Sequence, residues 1–168
     1  MIKMGDRLPA ATLMEFVDVA SDGCSVGPNP VDVGKAAAGK TIALFAVPGA
    51  FTPTCSNEHL PGYLNQAAAL RAAGVDEIWC VAVNDPFVMG AWGRENKAAG
   101  KVRMLADGDA AFAKATGLTW DLTGKGLGLR SSRYSMLLRD GKVAQLNIEA
   151  PGKFEVSDAA TLLGQLRR

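Results

Sequence analysis

Val47-Pro-Gly-Ala-Phe-Thr-Pro-Thr-Cys55 is the stretch on which the reading of this chain turns. It follows Thr41-Ile-Ala-Leu-Phe-Ala-Val47, a short continuous apolar run bounded by Lys40 and Pro48, which is the pattern of a buried strand. It precedes Ser56-Asn-Glu-His-Leu60, which reads as helix. Pro53 suits the first helical position, where its missing N–H costs nothing, and Thr52 suits the N-cap before it. Cys55 then falls in the first helical turn, where unpaired N–H groups and the positive end of the helix dipole favour a thiolate. A free cysteine, with a pKa of ~8.5, is only ~3% thiolate at neutral pH, and a helix terminus supplies ~0.3–1 kcal/mol. A cation and further hydrogen-bond donors are therefore expected around the sulfur.

Outward from this junction, the chain alternates strand and helix patterns. Before it, residues 13–19 alternate in part and read as an edge strand, 21–30 as a turn-rich loop, and 31–38 as a short helical turn. After it, Pro61-Gly62 is expected to kink or break the cysteine helix, with helical periodicity resuming over 63–73 and stopping at Gly74. Residues 77–83 read as a second buried strand. Asp85-Pro86 opens a helix to about residue 99, 101–106 read as a third strand, and 109–116 as a helix closed by Gly117. Residues 123–129 are a glycine-rich loop. Residues 133–139 and 142–148 form a hairpin around Asp140-Gly141, and Ser157 is expected to cap a final helix over 158–166. The order β-α-β-α-β-α-β-β-α implies an α/β fold, with a mixed central sheet and helices on both faces. The closing hairpin suggests a thioredoxin-like arrangement.

A length of 168 residues suits one domain, 1–168, and the 48% apolar fraction suits a globular one. A net charge of +1 without a basic stripe argues against nucleic acid as a partner. The sequence has no apolar run long enough for a membrane span and no signal-peptide core at its start. Three widely spaced cysteines argue against a secreted disulfide framework, so the expected compartment is the cytoplasm.

Pro48-Gly-Ala-Phe-Thr-Pro-Thr-Cys-Ser56 resembles the active-site loop of the peroxiredoxins. Its continuation through His59-Leu-Pro-Gly62 is similar to the type V subfamily, called type II in plants. Val83-Asn-Asp-Pro-Phe-Val-Met-Gly-Ala-Trp92 and Gly128-Leu-Arg-Ser-Ser-Arg-Tyr-Ser-Met136 extend the resemblance over nearly the whole chain. The resemblance implies a thioredoxin-like fold and a thiol peroxidase acting on hydrogen peroxide and organic hydroperoxides. It makes Cys55 the peroxidatic cysteine, oxidised to sulfenic acid. It gives Thr52 a hydroxyl directed at the sulfur or the peroxide, and makes Pro48 the shield of the pocket. It also implies a homodimer, with Phe51, Phe87 and Trp92 near the contact, and no metal, haem or flavin.

The remaining candidates are weighed on their surroundings. Arg130, flanked by glycines before a predicted strand, is the expected cation and matches the family's active-site arginine. Arg133 is its rival, at the start of a strand whose alternation could turn it away. His59, four residues after Cys55, is expected to pack near the pocket and bond a backbone group rather than serve as a hydrolase base. The spacing of Cys24, Cys55, Cys80 and His59 does not fit a zinc site. Cys80 reads as core, while the reach of Cys24 is left open. The region 149–158 carries no cysteine, so the resolving route of some type V members is absent. Recycling by glutathione with glutaredoxin, or by thioredoxin, is expected instead. Two classes compete: a thiol–disulfide oxidoreductase, disfavoured because Thr52 occupies the first position of a Cys-x-x-Cys, and a non-catalytic role as a redox sensor or holdase-like oligomer.

Overall fold

The computed structural model describes residues 1–21 and 23–168. Asp22, within the predicted turn-rich loop, lies outside the described residues. The central sheet has seven strands: β1 (Thr12–Val17), β2 (Gly27–Asp32), β3 (Thr41–Val47), β4 (Glu77–Ala82), β5 (Arg103–Ala106), β8 (Tyr134–Arg139) and β9 (Lys142–Ile148). Their spatial order is β2-β1-β5-β4-β3-β8-β9. β3, β4 and β5 run parallel, and β1, β2, β8 and β9 pair antiparallel with their neighbours. Two further strands, β6 (Thr119–Leu122) and β7 (Gly128–Ser131), form a separate antiparallel ribbon. The sheet is thus mixed and its fold thioredoxin-like, as the element order implied.

β3 shows why the helices divide between two faces. Ala43, Phe45 and Val47 project to one side, where they meet α2 (Leu60–Ala72), α3 (Pro86–Glu95) and α5 (Ala159–Leu166). Ile42, Leu44 and Ala46 project to the other, against α1 (Val33–Ala37) and α4 (Ala111–Thr116). Six of its seven residues are buried, because an interior parallel strand is covered on both faces.

Several elements depart from the sequence expectation. Residues 27–30, read as loop with Pro28 and Pro30 in it, and 31–32, read as the start of a helical turn, together pair with β1 as an edge strand. An edge tolerates proline because the missing donor need not meet a neighbour. Pro61-Gly62 does not break the cysteine helix. The chain makes a wide π-helical turn over Cys55–His59, closed by the Leu60 N–H to the Cys55 carbonyl, and continues directly into α2. Pro61 cannot donate to the carbonyl four residues back, and the widened turn ahead of it absorbs the mismatch. α5 is capped by the Asp158 carboxylate, which accepts from the Thr161 N–H, rather than by Ser157.

Two glycines separate tight packing from open space. A Cβ at Gly90 in α3 would lie 2.9 Å from the Phe16 Cβ, an atom that no rotamer change moves. A Cβ at Gly62 would meet nothing within 4 Å. Gly90→Ala is expected to destabilise, the overpacking cost of ~1–3 kcal/mol outweighing the helix-propensity gain of ~0.5–1 kcal/mol. Gly62→Ala is expected to stabilise by that gain alone. Urea denaturation of both variants checks this, and a stabilised Gly90→Ala would contradict the packing.

Candidate active site

The apolar β3 ends at Val47, and the chain turns through Pro48 to Thr52 before the helix begins. Asn84, from the end of β4, holds this turn by accepting the Ala50 N–H on its Oδ1 at 2.9 Å. Phe51 adopts a left-handed backbone, with φ of 65°, and remains exposed. Thr52 does not use its side chain as a cap. Its hydroxyl donates to the Gly49 carbonyl at 2.7 Å, while its own carbonyl accepts the Ser56 N–H at 2.9 Å. Cys55 sits in the first turn, as the spacing predicted, and has no exposed surface.

The cation on the sulfur is Arg133, not Arg130. Arg133 Nη2 donates to Cys55 Sγ at 3.1 Å. Arg130 instead donates from Nε to the Leu127 carbonyl at 2.8 Å and from Nη1 to the Pro48 carbonyl at 3.2 Å. The physical reason lies in strand alternation. Tyr134, Met136 and Leu138 of β8 face the α1/α4 core, whereas Leu137 faces the α2/α5 core that contains Cys55. Arg133 shares the parity of Leu137, so alternation turns it toward the sulfur rather than away. Arg130 belongs to the β6–β7 ribbon, opposite Trp120, and braces the Pro48 carbonyl from outside. A Cβ at Gly49 would come within 2.8 Å of Arg130 Nη1, so a side chain there would shift the end of the guanidinium that holds Pro48.

His59 is the residue whose part was least legible. It is buried, and it does bond a backbone group, the Ser157 carbonyl, through Nε2 at 3.0 Å. Its other nitrogen, Nδ1, lies 2.8 Å from Arg133 Nη1. A guanidinium has only donors, so Nδ1 is the acceptor and the ring proton resides on Nε2. The wide turn favours this convergence, because residues four apart in an i→i+5 turn lie closer to alignment than in an α-helix. Burial, reinforced by the neighbouring Arg133 charge, lowers the His59 pKa from an ordinary 6.5 to about 3. His59 is therefore neutral at physiological pH and carries no proton to donate to the sulfur.

Pro48, Thr52 and Arg133 open onto a cleft of about 430 Å³, whose walls include Trp120, Leu127 and Pro151. Cys80 lies in the same core as Cys55, and burial, with Cys55 nearby, pushes its thiol well up. Cys24 is half-buried, and all three cysteines are free. Trp92, expected near a surface contact, is fully buried with its indole N–H on Ser56 Oγ at 3.1 Å.

The depressed His59 pKa has a definite sign in stability. Below pH 6.5 the unfolded chain protonates this imidazole while the folded chain does not until about pH 3. Stability contributed by the neutral ring is thus present above pH 6.5 and falls through that window at ~1.4 kcal/mol per pH unit. His59→Asn is expected to show a shallower loss of unfolding free energy between pH 6 and pH 4, by about one proton's worth. Denaturant titrations at several pH values measure the difference, and equal slopes would contradict it.

Several known proteins resemble this chain over nearly its full length. A profile of the Redoxin family matches residues 3–163. The chain is 48% identical to Peroxiredoxin-2C of Oryza sativa subsp. japonica over 165 residues, covering 98% of each. Reduced Prx3 of Vibrio vulnificus, solved in complex with hydrogen peroxide, superposes with a TM-score of 0.91 at 51% identity, covering 99% of both chains. A crystal structure from Burkholderia cenocepacia, provisionally described as a thioredoxin reductase, superposes at 0.96 with 60% identity, covering 98% of this chain and 97% of that one. With a buried cysteine at a helix start and this likeness over nearly its full length, the chain belongs to the peroxiredoxins, the thiol peroxidases of the Redoxin family.

Proposed function

We propose that Cys55 is the peroxidatic residue, and that this single domain reduces hydrogen peroxide and organic hydroperoxides at the cleft beside it. The observation that carries the reading is the Arg133 donor on the Cys55 sulfur, at 3.1 Å, in the first turn of a helix. A charged N–H donor suits a thiolate acceptor and remains available to a developing oxyanion. The thiolate attacks one peroxide oxygen and the O–O bond breaks. The sulfur keeps that oxygen as sulfenic acid, and the other oxygen leaves as water or an alcohol after taking a proton. Thr52, whose hydroxyl oxygen retains its lone pairs, accepts a peroxide O–H. Pro48 walls the pocket, and Arg130 supports it through the Pro48 carbonyl. The apolar walls of Trp120, Leu127 and Pro151 leave room for an organic substituent.

A thiol then attacks the sulfenic sulfur, releasing water and leaving a mixed disulfide, and a second thiol restores Cys55. Cys80 does not serve, since its thiol is buried and held protonated. Glutathione with glutaredoxin, or thioredoxin, fills this role in the reading, and free thiols suit the cytoplasm. Phe51 and Phe87, 49% and 62% exposed, support a homodimer formed on this side of the molecule.

Two measurements test the assignment. In peroxide consumption driven by dithiothreitol, Cys55→Ser is expected to be inactive and Cys80→Ser to keep most activity. Arg133→Lys is expected to lose ~100-fold or more, because lysine lacks the fixed fork of donors. Arg130→Lys loses less; the reverse order would return the sulfur's cation to Arg130. Peptide mapping after one equivalent of peroxide with glutathione present should find a mixed disulfide on Cys55. A stoichiometric Cys24–Cys55 bridge would overturn the external-thiol cycle.

A further inference from the structure

Arg133 has two partners, and only one of them is the sulfur. Its Nη1 is held by His59 Nδ1 at 2.8 Å, while Nη2 reaches Cys55 at 3.1 Å. His59 is held in turn by the Ser157 carbonyl at 3.0 Å, which also accepts the Tyr63 hydroxyl at 3.0 Å. The ring is packed between Phe45 and Phe154, with both centroids 4.9 Å away. What fixes the Ser157 carbonyl is a buried carboxylate. Glu149, at the end of β9, accepts the N–H groups of Glu155, Val156 and Ser157 at 2.8 to 2.9 Å and the Ser157 hydroxyl at 2.7 Å. Burial alone would raise the Glu149 pKa, but these donors outweigh it and hold the group ionised below the usual carboxylate range.

We propose that His59, aimed by the Glu149-clamped loop at 150–157, is a positioning residue that fixes the Arg133 guanidinium on the Cys55 sulfur. The inference rests on the peroxidase reading of Cys55. Each link has one chemically allowed direction. The loop carbonyl requires the proton on Nε2, that tautomer leaves a lone pair on Nδ1, and the lone pair holds Nη1. Nη2 is thereby left facing the sulfur. Without the Nδ1 acceptor the guanidinium gains torsional freedom about its long side chain, and a misplacement of ~1 Å at a reacting centre costs ~100-fold.

Two amide isosteres separate positioning from packing. In His59→Asn the side-chain oxygen stands where Nδ1 stood and still accepts from Arg133. In His59→Gln the amide nitrogen stands where Nε2 stood and keeps only the Ser157 bond. Both lose the aromatic ring contacts, so thermal midpoints are expected to fall alike. The single-turnover rate of Cys55 with hydrogen peroxide is expected to stay within about threefold of wild type in His59→Asn and to fall about 10- to 100-fold in His59→Gln. Glu149→Gln is expected to slow the same step, and its combination with His59→Gln to be no slower than His59→Gln alone, since Glu149 acts through the ring. Equal rates in the two His59 variants, or additive losses in the double variant, would overturn the proposal while an active wild type upholds the peroxidase reading. A wild type inert to peroxide would overturn both.

Discussion

The guanidinium of Arg133 ties together three parts of the chain that are distant in sequence. It enters from the start of β8, donates to a sulfur in the first turn after β3, and donates again to an imidazole one wide turn further along. Beyond that imidazole lies the loop that follows β9. A cation in a half-buried place needs acceptors for its donors, and here each acceptor belongs to an element fixed by the sheet. The sheet therefore decides where the charge sits, and the charge decides where the first helical turn can lie. The wide turn over Cys55–His59 follows from the same requirement together with Pro61, which removes one regular helical bond.

Arg130 complements this arrangement without duplicating it. It reaches the site through backbone carbonyls, bracing Pro48 from the β6–β7 ribbon. The two arginines are three residues apart, Arg130 in β7 of the ribbon and Arg133 immediately before β8 of the central sheet, because the chain crosses from one to the other between them. One shapes the wall and the other meets the reacting atom. Gly49 lies between wall and guanidinium, where a side chain would push the end of Arg130 aside.

Much of this was legible in the sequence. The uninterrupted apolar run at 41–47 identified the interior strand, and Pro53 with Thr52 located the helix start that carries Cys55. The loop residues around them matched a known family closely enough to expect the chemistry. Other features were hidden for physical reasons. Pro28 and Pro30 are loop signals in isolation and harmless on an edge strand, a distinction made only by the neighbouring β1. The choice between Arg130 and Arg133 depended on parity along β8, visible once Tyr134, Met136 and Leu138 are recognised as one face. His59 carried the weakest signal, because its role comes from Ser157 and Glu149, about a hundred residues downstream. Local spacing contains no record of so distant a contact.

The complete coverage of Cys55 has a mechanical corollary. Interiors packed at crystalline density hold no spare volume for another heavy atom. An oxygen added to this sulfur must therefore lie toward the adjoining cleft or displace one of the residues packed on it. An oxidised sulfur would then alter the local outline as well as the composition. A reducing protein that docks on the surface over Cys55 would read the oxidation state as shape, before any sulfur is exchanged.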